Sequence, residues 1–171
     1  MRAYLRLFLD ICLWRRDASA VPASASLFVL LATLYWLASA AQAWVAYGAR
    51  SVVLLASIDL VLTLAFFRIV LGLARRSHRY RQTASALLGT SVLVSPLMLL
   101  LLELRETARS PYAVAFLVWA GTVVALVWYL FVVGHILRTA LDTGMLTAMG
   151  IAIAYFMAGA AVAGVLFPPA G

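Results

Sequence analysis

The stretch "SIDLVLTLAFFR", Ser57 to Arg68, sets an aspartate and an arginine inside an otherwise apolar run. A charged side chain at the middle of a membrane helix costs about 2.5–3.5 kcal/mol on insertion scales, so each needs a partner or a purpose. Nine positions separate the two. On an α-helix that is about two and a half turns and roughly 13.5 Å, so they project from opposite faces and do not pair. Arg68 shares a face with Gly72, Arg75, Arg76 and Arg79, and its long stem can carry the guanidinium toward the nearby helix end. Asp59 is short and lies roughly 10 Å inside the span from the other end, so it must face neighbouring helices. Ser39, Gln42, Ser95 and Thr122 fall at similar depth and are expected to offer it hydrogen bonds. This intramembrane polar site has two readings: a clasp between helices, or a proton or ion site.

A second group lies in "WYLFVVGHILRTALDTG". On a helix His135, Arg138 and Asp142 fall within about 60° of one another. Arg138 and Asp142 have the i, i+4 spacing of an ion pair. The segment "RRSHRYRQ" brings Arg75, Arg76, Arg79 and Arg81 to the same side. Such a cluster suits anionic lipid headgroups or an acidic partner segment. On the opposite side, "ELRETARS" mixes Glu103, Arg105, Glu106 and Arg109, and no neighbouring residue type points to a substrate for its carboxylates. The sequence has no nucleotide-binding loop, nucleophile elbow, HExxH or CxxC. Two histidines and the single Cys12 are too few for an all-protein zinc or haem site, so no metal, cofactor or intrachain disulfide is expected, and the chain reads as no enzyme.

The elements that must position these residues follow from composition. The chain is 66% hydrophobic and 11% charged over 171 residues. A soluble domain is nearer half apolar, so lipid must be the solvent for most of this one. Five runs are long enough to cross hydrocarbon, near 25–47, 52–74, 83–103, 112–134 and 145–167. The expected fold is an all-α membrane protein: five transmembrane helices as a single domain over 21–171, preceded by an amphipathic segment over 1–20. In "MRAYLRLFLDICLWRR" the residues Arg2, Arg6 and Asp10 form one polar stripe, with Arg6 and Asp10 spaced to pair, so this reads as a helix lying at the membrane interface. Small residues recur at four-residue spacing: Gly150, Ala154 and Ala158; Ala160 and Gly164; Gly121 and Ala125; Ser91 and Ser95. Such faces let helices approach closely. Pro96 should interrupt the backbone bonding of the third span.

The formal charge is +7 and every basic residue is an arginine, set between apolar runs. That pattern points to a membrane surface and not to nucleic acid. The absence of lysine suggests a bacterial genome rich in GC. With the N-terminus cytoplasmic, Arg2, Arg6, Arg15, Arg16, Arg75, Arg76, Arg79, Arg81 and Arg138 face inside, and Arg50, Arg105 and Arg109 face outside. The excess of inside arginines predicts a bacterial inner-membrane protein with a cytoplasmic N-terminus and a periplasmic C-terminus. "ASAAQAWV" resembles a signal-peptidase site, but the long arginine-bearing segment before it argues against cleavage.

Five spans, a cytoplasmic N-terminus, a short C-terminal tail and the segment "VWYLFVVGHILRTALDTGMLTAMGIAIAYF" together resemble the bacterial branch of the Yip family. Eukaryotic members of that family are associated with vesicle traffic and Rab-type GTPases, and this sequence lacks their Asp-Leu-Tyr-Gly-Pro motif. The resemblance implies a fold and no functional residue. The functional expectation is a non-enzymatic protein that scaffolds or assists a membrane partner complex. The alternative is a small oligomeric permease or ion-translocating unit using Asp59. A membrane-protein partner or homo-oligomer is expected in either case.

Overall fold

The computed structural model describes residues 2–49, 52–107 and 112–166. Within them run six α-helices: α1 (Arg2–Cys12), α2 (Ala25–Tyr47), α3 (Val52–Leu73), α4 (Tyr80–Thr107), α5 (Tyr112–Leu141) and α6 (Met145–Leu166). Helices α2 to α6 are each long and apolar enough to cross a membrane, so the chain is an all-α, multi-pass membrane protein. The expected spans coincide with α2 and α3 almost to the residue. α5 continues to Leu141 instead of stopping at 134, because "HILRTAL" keeps forming helix after the hydrophobic run has ended.

The helix ends have local causes. Ser24 caps α2 by accepting the Leu27 N–H at 3.4 Å. Gly48, at φ 72°, ends α2 and donates its N–H to Trp44 O at 2.9 Å. Trp14, Arg75 and Asp142 take the same left-handed region after α1, α3 and α5, at φ 58°, 56° and 54°. The capping bonds that reward this strain include Arg76 N–H to Leu71 O at 2.8 Å and Thr143 N–H to Arg138 O at 3.2 Å.

Sequential spans are antiparallel, and α2, α3, α6, α5 and α4 close into a ring in that order. Packing is closest between α2 and α4 and between α5 and α6, and loosest between α3 and α6. α4 is the most enclosed helix: 44% of its most apolar window is buried, against 17% or less in the other four. All residues from Thr83 to Thr90 are buried. Around them pack Phe67 of α3, Val132, Val133, Ile136 and Leu137 of α5, and Ala148 and Ala152 of α6. This dense core occupies the half of the bundle nearest Arg75, Arg76, Arg79, Arg81 and Arg138, the basic end. Of the arginines assigned to the far end, Arg105 is described, and Arg50 and Arg109 lie outside the described residues.

Helix α1 is docked on the bundle. Leu7, Phe8, Ile11 and Cys12 are buried against α4 and α5, while Leu5, Leu9 and Leu13 stay exposed on a separate apolar face. The helix therefore has a protein face, an apolar outer face and a polar stripe. Asp10 pairs with Arg16, 3.6 Å away, and not with Arg6. The turn after α1 brings Arg16 back over the helix end, where its backbone N–H bonds Asp10 O. The close-packing stripe expected in α6 is also corrected. Gly150, Ala154 and Gly164 are exposed, and a Cβ at either glycine would meet nothing within 4 Å. The α4 and α5 counterparts do pack inward, with Ser95 and Ala125 buried.

Inside this core the Ser85 hydroxyl has no hydrogen-bond partner. An orphaned hydroxyl costs about 1–3 kcal/mol. Ser85→Ala is therefore expected to raise resistance to unfolding by about 1 kcal/mol in a detergent-denaturant titration; a loss of stability would reveal a hidden partner.

Candidate functional site

Asp59 lies seven residues into α3 from its far end, roughly 10 Å deep. Its Oδ2 accepts a hydrogen bond from Ser39 Oγ of α2 at 2.8 Å. One turn farther out, Gln42 Nε2 donates to Ser95 Oγ of α4, also at 2.8 Å. The Thr122 hydroxyl bonds back to Val118 O of its own helix at 2.8 Å. The four expected donors thus gather within about a helical turn of Asp59's depth, but only Ser39 binds the carboxylate. Gln42 and Ser95 satisfy each other, and Thr122 satisfies itself within α5.

These five residues line one cleft of about 620 Å³ that takes side chains from all five spans. It is partly open and reaches from the tyrosines at mid-bundle to Arg105 at the far end. A second cleft of about 310 Å³ between α2, α3 and α6 joins it at Ser39, Gln42 and Asp59. Space arises here because, beyond Tyr155 and Phe156, α6 lines the cleft with only the small residues Gly159, Ala160 and Ala163, and a Cβ on Gly159 would meet nothing within 4 Å. Asp59 is half-buried, so its carboxylate borders the cleft without being sealed in protein.

The floor consists of residues that sequence reasoning missed. Thr63, one turn below Asp59, bonds Tyr35 OH at 3.3 Å and Tyr155 OH at 2.9 Å. Tyr129 OH bonds Ser91 Oγ. Tyr155 also packs on Phe66, Phe67 and Phe156, with ring centroids 5.3, 5.6 and 5.3 Å away. The phenol layer closes the cleft and rests directly on the dense core. A tyrosine near the end of an apolar run, as Tyr129 is in the run 112–134, ordinarily sits at a membrane interface. The continuation of α5 to Leu141 instead puts it about 18 Å from that helix end, at mid-bundle.

Arg105 does not pair with Asp59. The ten residues from Ser95 to Arg105 rise about 15 Å along α4. At such a separation across water, two unit charges interact by only roughly 0.3 kcal/mol. The cleft therefore presents one carboxylate in its depth and an exposed, solvent-screened guanidinium at its rim.

At the basic end the structure separates residues that the sequence grouped. His135 Nε2 lies 3.2 Å from Arg16 O and 3.6 Å from Asp17 Oδ1, and its ring stacks on Trp14. Asp142 pairs with Arg76 at 3.2 Å instead of Arg138, because the left-handed turn at Asp142 takes it off the helix face. Arg79 donates to Thr139 O at 3.2 Å. Four members, His135, Asp142, Arg76 and Arg79, thus tie the α1–α2 and α3–α4 connections to α5, and Arg75, Arg81 and Arg138 remain exposed. Arg68 is exposed and stands 5.3 Å over the Tyr80 ring, consistent with a guanidinium directed toward this end. Burial pushes the Cys12 thiol up to about 11, which makes it a poor nucleophile. No family model, curated protein or solved structure matches the chain.

Proposed function

We propose that the chain is a small permease-type unit whose ligand is held in the Asp59 cleft. The observation that carries this reading is the uneven bundle: a roomy, partly polar cleft in one half, and a sealed core in the other. A clasp between helices needs the Ser39–Asp59 bond and no space beside it. A scaffold for a partner complex, the other expectation from sequence, needs no cleft at all. Cavities of about 300–1,000 Å³ with few polar groups are the usual form of small-molecule sites.

The setting belongs to the same proposal. The excess of arginines at one end supports a topology with that end in the cytoplasm of a bacterial inner membrane and the cleft facing the periplasm. Exposed Arg75, Arg81 and Arg138 then meet anionic headgroups of the inner leaflet. The resemblance to the bacterial Yip branch contributes span count and topology, and no functional residue.

Cysteine accessibility tests the reading. In a Cys12→Ala background, Thr122→Cys and Gly159→Cys are expected to react with a membrane-impermeant maleimide added from the Arg105 side. Ala152→Cys, in the packed half, should stay unlabelled from both sides. If the two cleft positions resist labelling while Tyr47→Cys at the rim reacts, the site is a clasp and the permease reading fails.

A further inference from the structure

We infer that the ligand of this cleft is a lipophilic organic cation, a proposal that rests on the permease reading and names its substrate class. Three observations lead to it. First, the cleft holds one carboxylate, Asp59, at its depth, and that group accepts from Ser39 at one oxygen. A half-buried carboxylate in an otherwise weakly polar site selects for positive charge. Second, Tyr35, Tyr129, Tyr155 and Phe156 line the same cleft. The three phenol hydroxyls are engaged by Thr63 and Ser91, which leaves the aromatic rings as the surface offered to a ligand. Rings around a cation that cannot be hydrated recognise it through their quadrupoles, the chemistry of quaternary ammonium sites.

Third, the remaining wall is aliphatic, with Leu62, Val94, Met98 and Leu126 among its residues. A bare metal ion would find a single carboxylate, since the hydroxyls and the amide around it are already hydrogen-bonded within the protein. An organic cation fills such a space with its own apolar groups. The loosest seam of the ring, between α3 and α6, lies beside Asp59 and offers a lateral path for a ligand that partitions into lipid. Arg105 does not oppose this assignment, since it sits at the exposed rim about 15 Å along α4 from Ser95.

Two ions of matching shape and opposite charge make the test. Tetraphenylphosphonium and tetraphenylborate are titrated onto the full chain in lipid nanodiscs, with empty nanodiscs subtracted. The phosphonium is expected to bind at least tenfold tighter than the borate. Asp59→Asn should weaken the phosphonium at least tenfold and leave the borate unchanged. Ser39→Ala, which frees the carboxylate, should retain or tighten phosphonium binding. Both variants are scored only where their elution profile and helical content match the parent. Equal affinity for the two ions, or an Asp59→Asn variant that binds the phosphonium like the parent, overturns the proposal. The maleimide experiment separates the two failures. A cleft that labels but ignores the phosphonium keeps the permease reading and loses this substrate class, whereas a cleft that does not label loses both.

Discussion

Gly89→Leu is expected to release α1 from the bundle. Gly89 lies in the fully buried stretch of α4, and a Cβ built there would collide with the Phe8 ring, reaching Cδ1 at 2.7 Å and two other ring atoms closer still. Phe8 is itself buried, 6% exposed, so the ring has little room to turn aside and the collision must push on α1 as a whole. Overpacking of this kind costs about 1–3 kcal/mol, occasionally more. An 11-residue helix is marginal by itself, and α1 depends on its docked face. Leucine favours helix over glycine, so α4 gains intrinsic propensity and any loss comes from the collision. Native Cys12 reports the outcome. Docked, the thiol is 2% exposed and has its pKa pushed up to about 11. A rise of two units from the ordinary value of 9.0 lowers the thiolate share at neutral pH about a hundredfold. Maleimide labelling of Cys12 should therefore accelerate at least tenfold in Gly89→Leu. An unchanged rate would show that α1 holds its place without the Phe8–Gly89 contact.

Tyr155→Ala is expected to cost about 3–5 kcal/mol of stability, the range for truncating a packed aromatic side chain. This ring spans the boundary between cleft and core: its hydroxyl bonds Thr63, and its faces and edges meet Phe66, Phe67 and Phe156. Lipid tails are as apolar as the core, so much of the penalty is lost packing around the new void and not transfer from water. Tyr155→Phe separates the contributions. It keeps the rings and loses one interhelical hydrogen bond, a change of about 0.6–1.7 kcal/mol. Unfolding of both variants in mixed micelles measures the difference. A Tyr155→Ala loss no larger than that of Tyr155→Phe would mean that the hydroxyl, and not the ring, supports the floor.

Much of the fold was legible because hydrocarbon imposes one rule on every span. Apolar length alone located α2 and α3. It missed the extension of α5 past residue 134, since hydropathy marks where lipid ends and helix bonding does not stop there. The polar wall was legible for a related reason: matched depth brought Ser39, Gln42, Ser95 and Thr122 to Asp59. Which donor takes which acceptor was not, because that depends on helix rotation within the ring. The tyrosine floor went unread because a tyrosine is ordinarily an interface residue. Its available signal was position: Tyr35 lies ten residues into α2, where a hydroxyl in hydrocarbon needs a partner on another helix. The α6 stripe failed as a guide because small residues also allow space, and here they open the cleft at Gly159, Ala160 and Ala163.

The uneven packing also shapes the electric field across the membrane. In the proposed permease, water entering the open half would carry the external potential down toward Asp59. The voltage then falls mainly over the sealed layer from Asp59 to Leu73, fourteen residues and about 21 Å thick. Each elementary charge crossing that layer exchanges about 2.3 kcal/mol per 100 mV. A cation seated at Asp59, as proposed, would have spent little of this, and nearly the whole electrical step would lie between it and the arginine belt. On the proposed topology, voltage thus acts on the phenol floor and the docked α1, and the cleft above them is electrically part of the outside.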